Sequence, residues 1–414
     1  MEGRWLILAD DLTGAADCAI AFGRRGRAAT VTWGEAAIAT SDPLTVLSYD
    51  ADSRSLSPEA AGRLHARILD RLLEPDRRLF KKIDSTLRGQ PAAETAAAIA
   101  ALRMRRGSAF GIFAPAFPAT GRTTVDGRVR INGHPLEEAE VWRRDHTYAD
   151  ADLVAVLGSA GIRAERVPLP RVRSDLASVL ARIAAPGDAI AVCDAETEDD
   201  LGRIARASLP IPEAFFIGSA GLAHALAALD ETGPIEAVRV APSGRGALIV
   251  VGSLAAASRL AAGKLAAGGG VAYLPVAPET LLDRPAGRVA LAARIAEVTA
   301  AGGDVLVEIA MDAAPDMALG PRLVQGLAEA LEPIASQIGA FAATGGETAA
   351  ALLSRFGVGG IRLVDEIEPG VSLGLTLGRL TIPVVTKAGA FGDADSLLRI
   401  AERLRSVRTE GSFT

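Results

Sequence analysis

Short apolar runs alternate with Ala/Leu-rich stretches of helical period from one end of the chain to the other. The runs RWLILA (Arg4–Ala9), AATVTW, TVLSY, RLFKKI (Arg78–Ile83), AFGIFA (Ala109–Ala114), AIAVCD and AFFIGS have the length and composition of buried strands. Between them, Ser57–Leu73 and Pro91–Arg105 read as helices. Pro91 suits a first helical turn, where its missing N–H costs nothing. The pattern lapses over Asp230–Gly246, where ETGPIEAVRVAPSGRG brings two prolines and three glycines. A second alternation follows through ALIVVG, GVAYLP, DVLVEIA, AFAATGG and IPVVTK. Its helical stretches cover Ala255–Ala267, the neighbourhoods of Arg288–Ala301 and Pro321–Ser336, Thr348–Phe356, and the end of the chain. Strands alternating with helices of this length predict βαβ units and largely parallel sheets. The expectation is two Rossmann-like α/β domains, residues 1–232 and 245–414, joined by a linker at 233–244. Asn132-Gly133, between β-prone residues, predicts a hairpin turn.

The 414 residues are 49% hydrophobic and 23% charged, which leaves room for two cores. No stretch approaches the run of about 18 uncharged apolar residues that a membrane span needs, and no secretory signal is evident at the start. The expected setting is therefore soluble and cytoplasmic. A net charge of −6, without a basic patch interleaved with aromatics, argues against nucleic acid as the main partner. Two cysteines, Cys18 and Cys193, exclude a disulfide scaffold, and neither sits in a CxxC pair that could begin a zinc ribbon. Only four of the 44 basic residues are lysines: Lys81, Lys82, Lys264 and Lys387. A lysine kept in so Arg-rich a chain points to a task that arginine's planar fork does not perform.

In open parallel sheets ligands bind beyond the carboxyl ends of the strands, so polar residues at those junctions carry the candidate chemistry. ADDLTGAAD places Asp10 and Asp11 at the end of the first strand, where one carboxylate can cap the helix and the other hold a metal or take a hydroxyl proton. KKIDSTLRG sets Lys82 and Asp84 on one strand face and Lys81 on the other, followed by Ser85, Thr86 and Arg88. That set can bind a small polyhydroxy acid, with Arg88 forking onto a carboxylate. FAPAFPATGRTT offers Arg122 as a further anion contact, and FFIGSAGLAHAL offers Ser219 in a tight turn.

In the second half, VVGSLAAAS, FAATGGETAAALL and VVTKAGAFGD each end a strand in a small-residue loop. Three such loops in one α/β domain, one of them holding Lys387, point to a phosphate-rich ligand at helix N-termini. There is no P-loop, no G-x-G-x-x-G after a strand and no G-x-S-x-G elbow. The four histidines are dispersed without metal-ligand spacing, and His224 reads as a packed or rim residue.

ADDLTGA, KKIDSTLRG, PAFPATGRTT with the NG turn after it, GSAGLA, VVGS, TGGETA, EPGVSLG and TKAGAFGD resemble, in that order, the signature of the four-carbon acid sugar kinase family. The resemblance covers nearly the whole chain. It implies an acid-sugar-binding N-terminal domain, an ATP-binding C-terminal domain, an active site in the interdomain cleft, Mg²⁺ with the ATP and a homodimer. The implied reaction is phosphorylation of a tetronate's terminal hydroxyl. Asp84, Asp11 and Lys82 are then the expected catalytic residues, with Asp84, or else Asp11, taking the hydroxyl's proton. Asp10, Ser85, Arg88, Arg122 and Ser219 are expected to bind the acid. Ser253, Thr344, Gly345, Gly346, Glu347, Thr348, Lys387 and Gly389 are expected around the nucleotide, with Lys387 offsetting phosphate charge and Glu347 reaching Mg²⁺ through water. Gln90 stands where Asn is frequent in the family, Ala16 replaces another frequent Asn, and Val141–Leu153 is unlike the simple threonate kinases. All three touch the acceptor side. The alternatives are a branched or oxidised acceptor of the apionate type, a non-catalytic nucleotide and sugar-acid sensor, and a lyase using Lys82 as a Schiff base.

Overall fold

A computed structural model describes residues 4–34, 46–230, 237–310 and 319–413. They pack as two compact units: 4–29 with 46–230, and 30–34 with 237–310 and 319–413. The expected linker at 233–244 lies partly outside the described residues. The earlier strands are β1 (Arg4–Ala9), β2 (Ala29–Trp33), β3 (Val46–Asp50), β4 (Arg77–Lys82), β5 (Phe110–Ala114), β6 (Arg122–Val125), β7 (Arg128–Ile131), β8 (His134–Pro135), β9 (Ala164–Val167), β10 (Ala189–Cys193) and β11 (Phe215–Gly218). The later ones are β12 (Ala247–Val251), β13 (Ala272–Val276), β14 (Val305–Ile309), β15 (Ala340–Thr344), β16 (Val358–Glu368), β17 (Val371–Gly378) and β18 (Pro383–Lys387).

In the first unit the strands run β3-β1-β4-β11-β5-β10-β9, and every pairing is parallel. Leu6, Ile7, Leu8 and Ala9 are all fully buried. Both sheet faces are covered, which is why these strands read as unbroken apolar runs rather than alternating ones. Helix α1 (Leu12–Gly23) starts at Asp11, whose side chain accepts from the Gly14 amide. Helix α2 (Pro58–Leu72) is capped by Ser57, and α3 (Pro91–Arg106) begins on Pro91 and stops at Gly107 in the left-handed region (φ 84°). A separate antiparallel sheet, β6-β7-β8, is turned by Asp126-Gly127 and by the expected Asn132-Gly133, all four at positive φ.

The second unit runs β13-β14-β12-β15-β18-β17-β16-β2. From β13 to β18 the pairings are parallel, while β18, β17 and β16 pair antiparallel. The sequence pattern does not announce the β16/β17 hairpin. Register shifts between Val358/Gly360, Leu363/Asp365 and Glu366/Glu368 break the two-residue alternation by which a half-exposed strand is recognised. The expected division assigns β2 to the first domain, whereas from Thr30 onward its packing assigns it to the second unit. There Trp33 Nε1 donates to Ser354 Oγ at 2.8 Å.

Candidate active site

Strand register builds the candidate site of the first unit. Ala9 lies beside Asp50, Leu8 beside Lys81, and Gly218 beside both Lys82 and Ala114. The five neighbouring strands β3, β1, β4, β11 and β5 therefore end level, and their loops open on one edge of the sheet. Four of these loops are the ones singled out from the sequence. The fifth, Ala51–Arg54 after β3, was missed, although a strand ending in Asp50 and followed by Asp52, Ser53 and Arg54 is the same signal.

Arg54 is the hub of this edge. Its Nε donates to Asp10 Oδ2 at 2.7 Å, and its Nη2 lies 2.8 Å from Asp11 Oδ1 and 3.8 Å from Asp84 Oδ1. Burial pushes the Asp10 carboxyl up, but Arg54, Lys82 and Lys81 outweigh it and hold the group at about 2. Asp10 Oδ1 is buried without a hydrogen-bond partner among the described residues, 4.0 Å from Lys82 Nζ. Burial works against the Lys82 ammonium, yet Asp10 and Asp11 raise it above its ordinary value, so it stays charged. Gly14 makes room for it, because a Cβ there would fall on Lys82 Nζ and Asp11 Oδ1.

Asp84 is the most heavily used carboxylate. It accepts from the Thr86 amide at 3.3 Å, the Thr86 hydroxyl, the Arg88 amide at 3.3 Å and both arms of the Arg88 guanidinium. Burial is outweighed by Arg88 and Arg54, which hold it well below the usual carboxylate range. Asp11 has one oxygen on Gly14 N and Arg54, while the other accepts the Thr13 hydroxyl (2.7 Å). Asp50 is different again: burial raises its carboxyl well above the ordinary range, and Asp11 and Asp10 add to the shift. Two loop residues, Asp52 (φ 48°) and Leu87 (φ 61°), sit in the left-handed region, a strain that tends to be kept where geometry matters.

Of the remaining expected acid ligands, Ser85 is buried in the same loop as Asp84. Arg122 donates to Thr120 O at 2.7 Å, and burial lowers its guanidinium to about 10. Ser219 spends its hydroxyl on Ala116 O at 3.0 Å, which ties two loops together. His224 stacks on Phe117, as a packed residue would. The unusual Val141–Leu153 segment reaches the site loop: Thr147 Oγ1 donates to Gly89 O at 2.8 Å, and Tyr148 Oη accepts from Ala92 N at 3.1 Å. Gln90 Nε2 donates to Leu56 O at 3.0 Å.

In the second unit Val251 lies beside Thr344, and Thr344 beside Lys387, so the three glycine loops leave adjacent strands side by side. They are laced together. Gly345 N donates to Lys387 O at 2.9 Å, Ser253 N to Thr344 Oγ1 at 3.3 Å, and Ser258 Oγ to Gly389 O at 2.8 Å. A Cβ on Gly389 would collide with Ser253 Oγ, and one on Gly252 with Thr348. Helix Gly346–Arg355 starts at Gly345 without a side-chain cap, the kind of helix start at which an anion is favoured. Glu347 is exposed on that first turn. Lys387 runs against expectation in its direction. Its ammonium is buried and donates to Ser258 Oγ (3.2 Å), Ala388 O (3.3 Å) and Phe391 O (2.6 Å), a full set of three.

Among the described residues no cluster of three or more His, Cys, Asp or Glu side chains could hold a metal by itself. A Mg²⁺ that keeps most of its waters and enters on a triphosphate needs no such cage. No helix among the described residues is long and apolar enough to cross a membrane.

Comparison with known proteins agrees with this division of labour. The chain matches a family model described as a sugar-binding N-terminal domain over residues 5–226, and one described as a nucleotide-binding C-terminal domain over residues 248–397. It is 44% identical to a D-threonate kinase of Cupriavidus necator, over 95% of this chain and 96% of that protein. It is 35% identical to a D-threonate kinase of Bordetella bronchiseptica (97% and 98% covered) and 28% identical to a D-erythronate kinase of Heliobacterium modesticaldum (94% and 94%). A solved Salmonella typhimurium LT2 structure described as a putative tRNA synthase shares the fold with a TM-score of 0.78 at 21% identity, covering 96% of this chain and 98% of that one. Both halves are matched in order, and kinases of four-carbon acids align over almost the full length. The chain therefore belongs to the four-carbon acid sugar kinase family and is an ATP-dependent sugar acid kinase.

Proposed function

We propose that the chain transfers the γ-phosphoryl group of ATP to the terminal hydroxyl of D-threonate. The 44% identity to a D-threonate kinase supports the choice of acid. The observation that carries the reading is the gathering of Arg54, Lys82 and Arg88 with Asp10, Asp11 and Asp84 on one sheet edge.

Phosphoryl transfer needs alignment and charge neutralisation more than covalent chemistry. Arg88, Lys82 and Arg122 hold the acid's carboxylate, and Asp10, Ser85 and Ser219 line the pocket for its hydroxyls. Asp11 accepts the terminal hydroxyl's proton. Asp84 suits that task less well, since Arg88 and Thr86 occupy its oxygens and its carboxyl is held far below neutral pH. Asp84 is assigned instead to aiming Arg88. On the nucleotide side, the amides of Gly346, Glu347 and Thr348 receive phosphate oxygens, while Ser253, Thr344, Gly345 and Gly389 shape the loops around them. Lys387 holds those loops in place. Glu347 would be the protein contact of a Mg²⁺ that enters with ATP, which would supply further charge neutralisation. Transfer from one domain's ligand to the other's is part of the same proposal.

The test is ADP release with MgATP across D- and L-threonate, D- and L-erythronate, oxo-tetronates and apionate-type acids. D-threonate should give the highest kcat/KM. Turnover of another acid in its place names a different acceptor, and ATP binding with no acid turned over removes the acceptor class. Asp11→Asn should lower kcat strongly with the KM for ATP kept, and a near-normal rate removes Asp11 as the proton acceptor.

A further inference from the structure

Beneath the acid site lies a polar cluster that the reaction does not touch. Glu94 on α3 is 1% exposed, and Lys81, His65 and Ser53 are fully buried around it. Glu94 Oε2 pairs with Lys81 Nζ at 2.8 Å, and Oε1 accepts the Ser53 hydroxyl at 2.6 Å. His65 Nε2, from α2, lies 2.9 Å from Ser53 Oγ and 3.4 Å from Glu94 Oε1. The Ser53 proton goes to Glu94, so the Nε2 facing Ser53 carries the ring's own proton. Nδ1 is then left as a buried acceptor without a hydrogen-bond partner among the described residues. Burial lowers His65 to about 4, against the pull of Glu94, so the ring is neutral near pH 7.

We infer that Glu94 is a positioning residue for the acid site, fixing three strand ends in one register. The inference rests on the reading of this edge as the acid site. Besides Glu94, Lys81 donates to Leu8 O (3.3 Å) and Lys82 O (2.5 Å), which ties it to β1 two residues before Asp10 and to β4 at Lys82 itself. Ser53 precedes Arg54, and its amide donates to Asp10 O at 3.1 Å. From one carboxylate, therefore, fixed links lead to Asp10, to Lys82 and to Arg54. An apolar floor would serve stability as well as a buried ion pair does, and often better. What the charged floor adds is direction, because each of its hydrogen bonds is satisfied in one geometry only.

The experiment uses the full chain with D-threonate and MgATP, the wild type serving as the control for the functional reading itself. Ser53→Ala removes one tether and leaves the ion pair. It should raise the KM for the acid about tenfold with the KM for ATP nearly unchanged, and lower the melting temperature modestly, because the lost bond is to a buried charged group. Glu94→Gln should shift the acid's KM and kcat further in the same direction. The inference is overturned if Ser53→Ala keeps both acid parameters within about twofold of wild type, or if both KM values rise in parallel. It is overturned equally if Glu94→Gln lowers the melting temperature alone. Should Glu94→Gln not fold, Ser53→Ala decides. If the wild type turns over no acid, the functional reading fails, and amide exchange decides the positioning separately. Exchange over residues 51–54 should quicken in Ser53→Ala, and unchanged exchange there ends the inference.

Discussion

Arg88 grips Asp84 with two parallel hydrogen bonds, Nε to Oδ2 and Nη2 to Oδ1, each 2.9 Å long. A fork of this kind fixes both partners and favours the ionised carboxylate. In place of a free base and a free anion hook, the STLRG loop presents one guanidinium whose plane is set from behind.

Asp84→Asn should therefore act mainly through Arg88. The KM for the acid should rise on the order of tenfold or more, as expected for losing a charge-assisted pair, while the KM for ATP stays put. The sign of the pH effect follows from the depressed Asp84 pKa. Its stabilisation is present above the ordinary carboxylate range and is lost as pH falls towards the depressed value. Melting temperatures recorded down the acid limb should fall less steeply in the variant than in wild type.

Arg54→Met leaves Asp10, Asp11 and Asp84 facing one another without their shared cation. Removing one partner of a buried charged cluster costs on the order of 3–5 kcal/mol, so a large drop in denaturant midpoint is expected. Acid turnover should be lost. A variant that melts like wild type and keeps its kcat would show that Arg54 is no hub.

Lys387 reports on its own environment. Burial lowers its ammonium from the ordinary 10.5 to about 8. Between those values the unfolded chain binds the proton that the folded one has released, so this residue makes stability rise with pH across that window. Lys387→Met should flatten the rise, measured as the denaturant midpoint from pH 8 to 10.5. ADP affinity should also fall, because Ala388 O and Phe391 O lose their common donor.

Gly345 stands at φ 92°, a conformation that L side chains rarely adopt. Gly345→Ala should cost roughly 1–3 kcal/mol of local strain and appear as a raised KM for ATP. The KM for the acid should be unaffected, and steady-state kinetics with each substrate varied in turn separates the two.

How much of this was legible in the sequence depended on how local each feature is. The junctions after β1, β4, β12, β15 and β18 could be read directly, because a strand, a small-residue turn and a helix start occupy a dozen consecutive residues. Pro91 at a helix start, one carboxylate of the Asp10-Asp11 pair as a cap and Asn132-Gly133 as a turn are equally local; all three stand in the structure, which makes Asp11 the cap. The β16/β17 hairpin was hidden because its register shifts erase the alternation that defines a strand.

Side-chain direction belonged to the tertiary structure. Ser53 meets Glu94 across 41 residues of sequence and His65 across 12, from a loop and two helices that share no sequence pattern. The sequence marked its four lysines as unusual, but it could not say why they were kept. Lys81 and Lys387 each bury an ammonium among three oxygen acceptors, a tetrahedral demand that lysine meets and arginine's flat fork does not. The chain by itself marked the strand ends where a polar, small-residue turn meets a helix start, since that is written in neighbouring residues, but not the end of β3 with Arg54. Only the packed sheet decided which charges face one another, since register and burial set those distances.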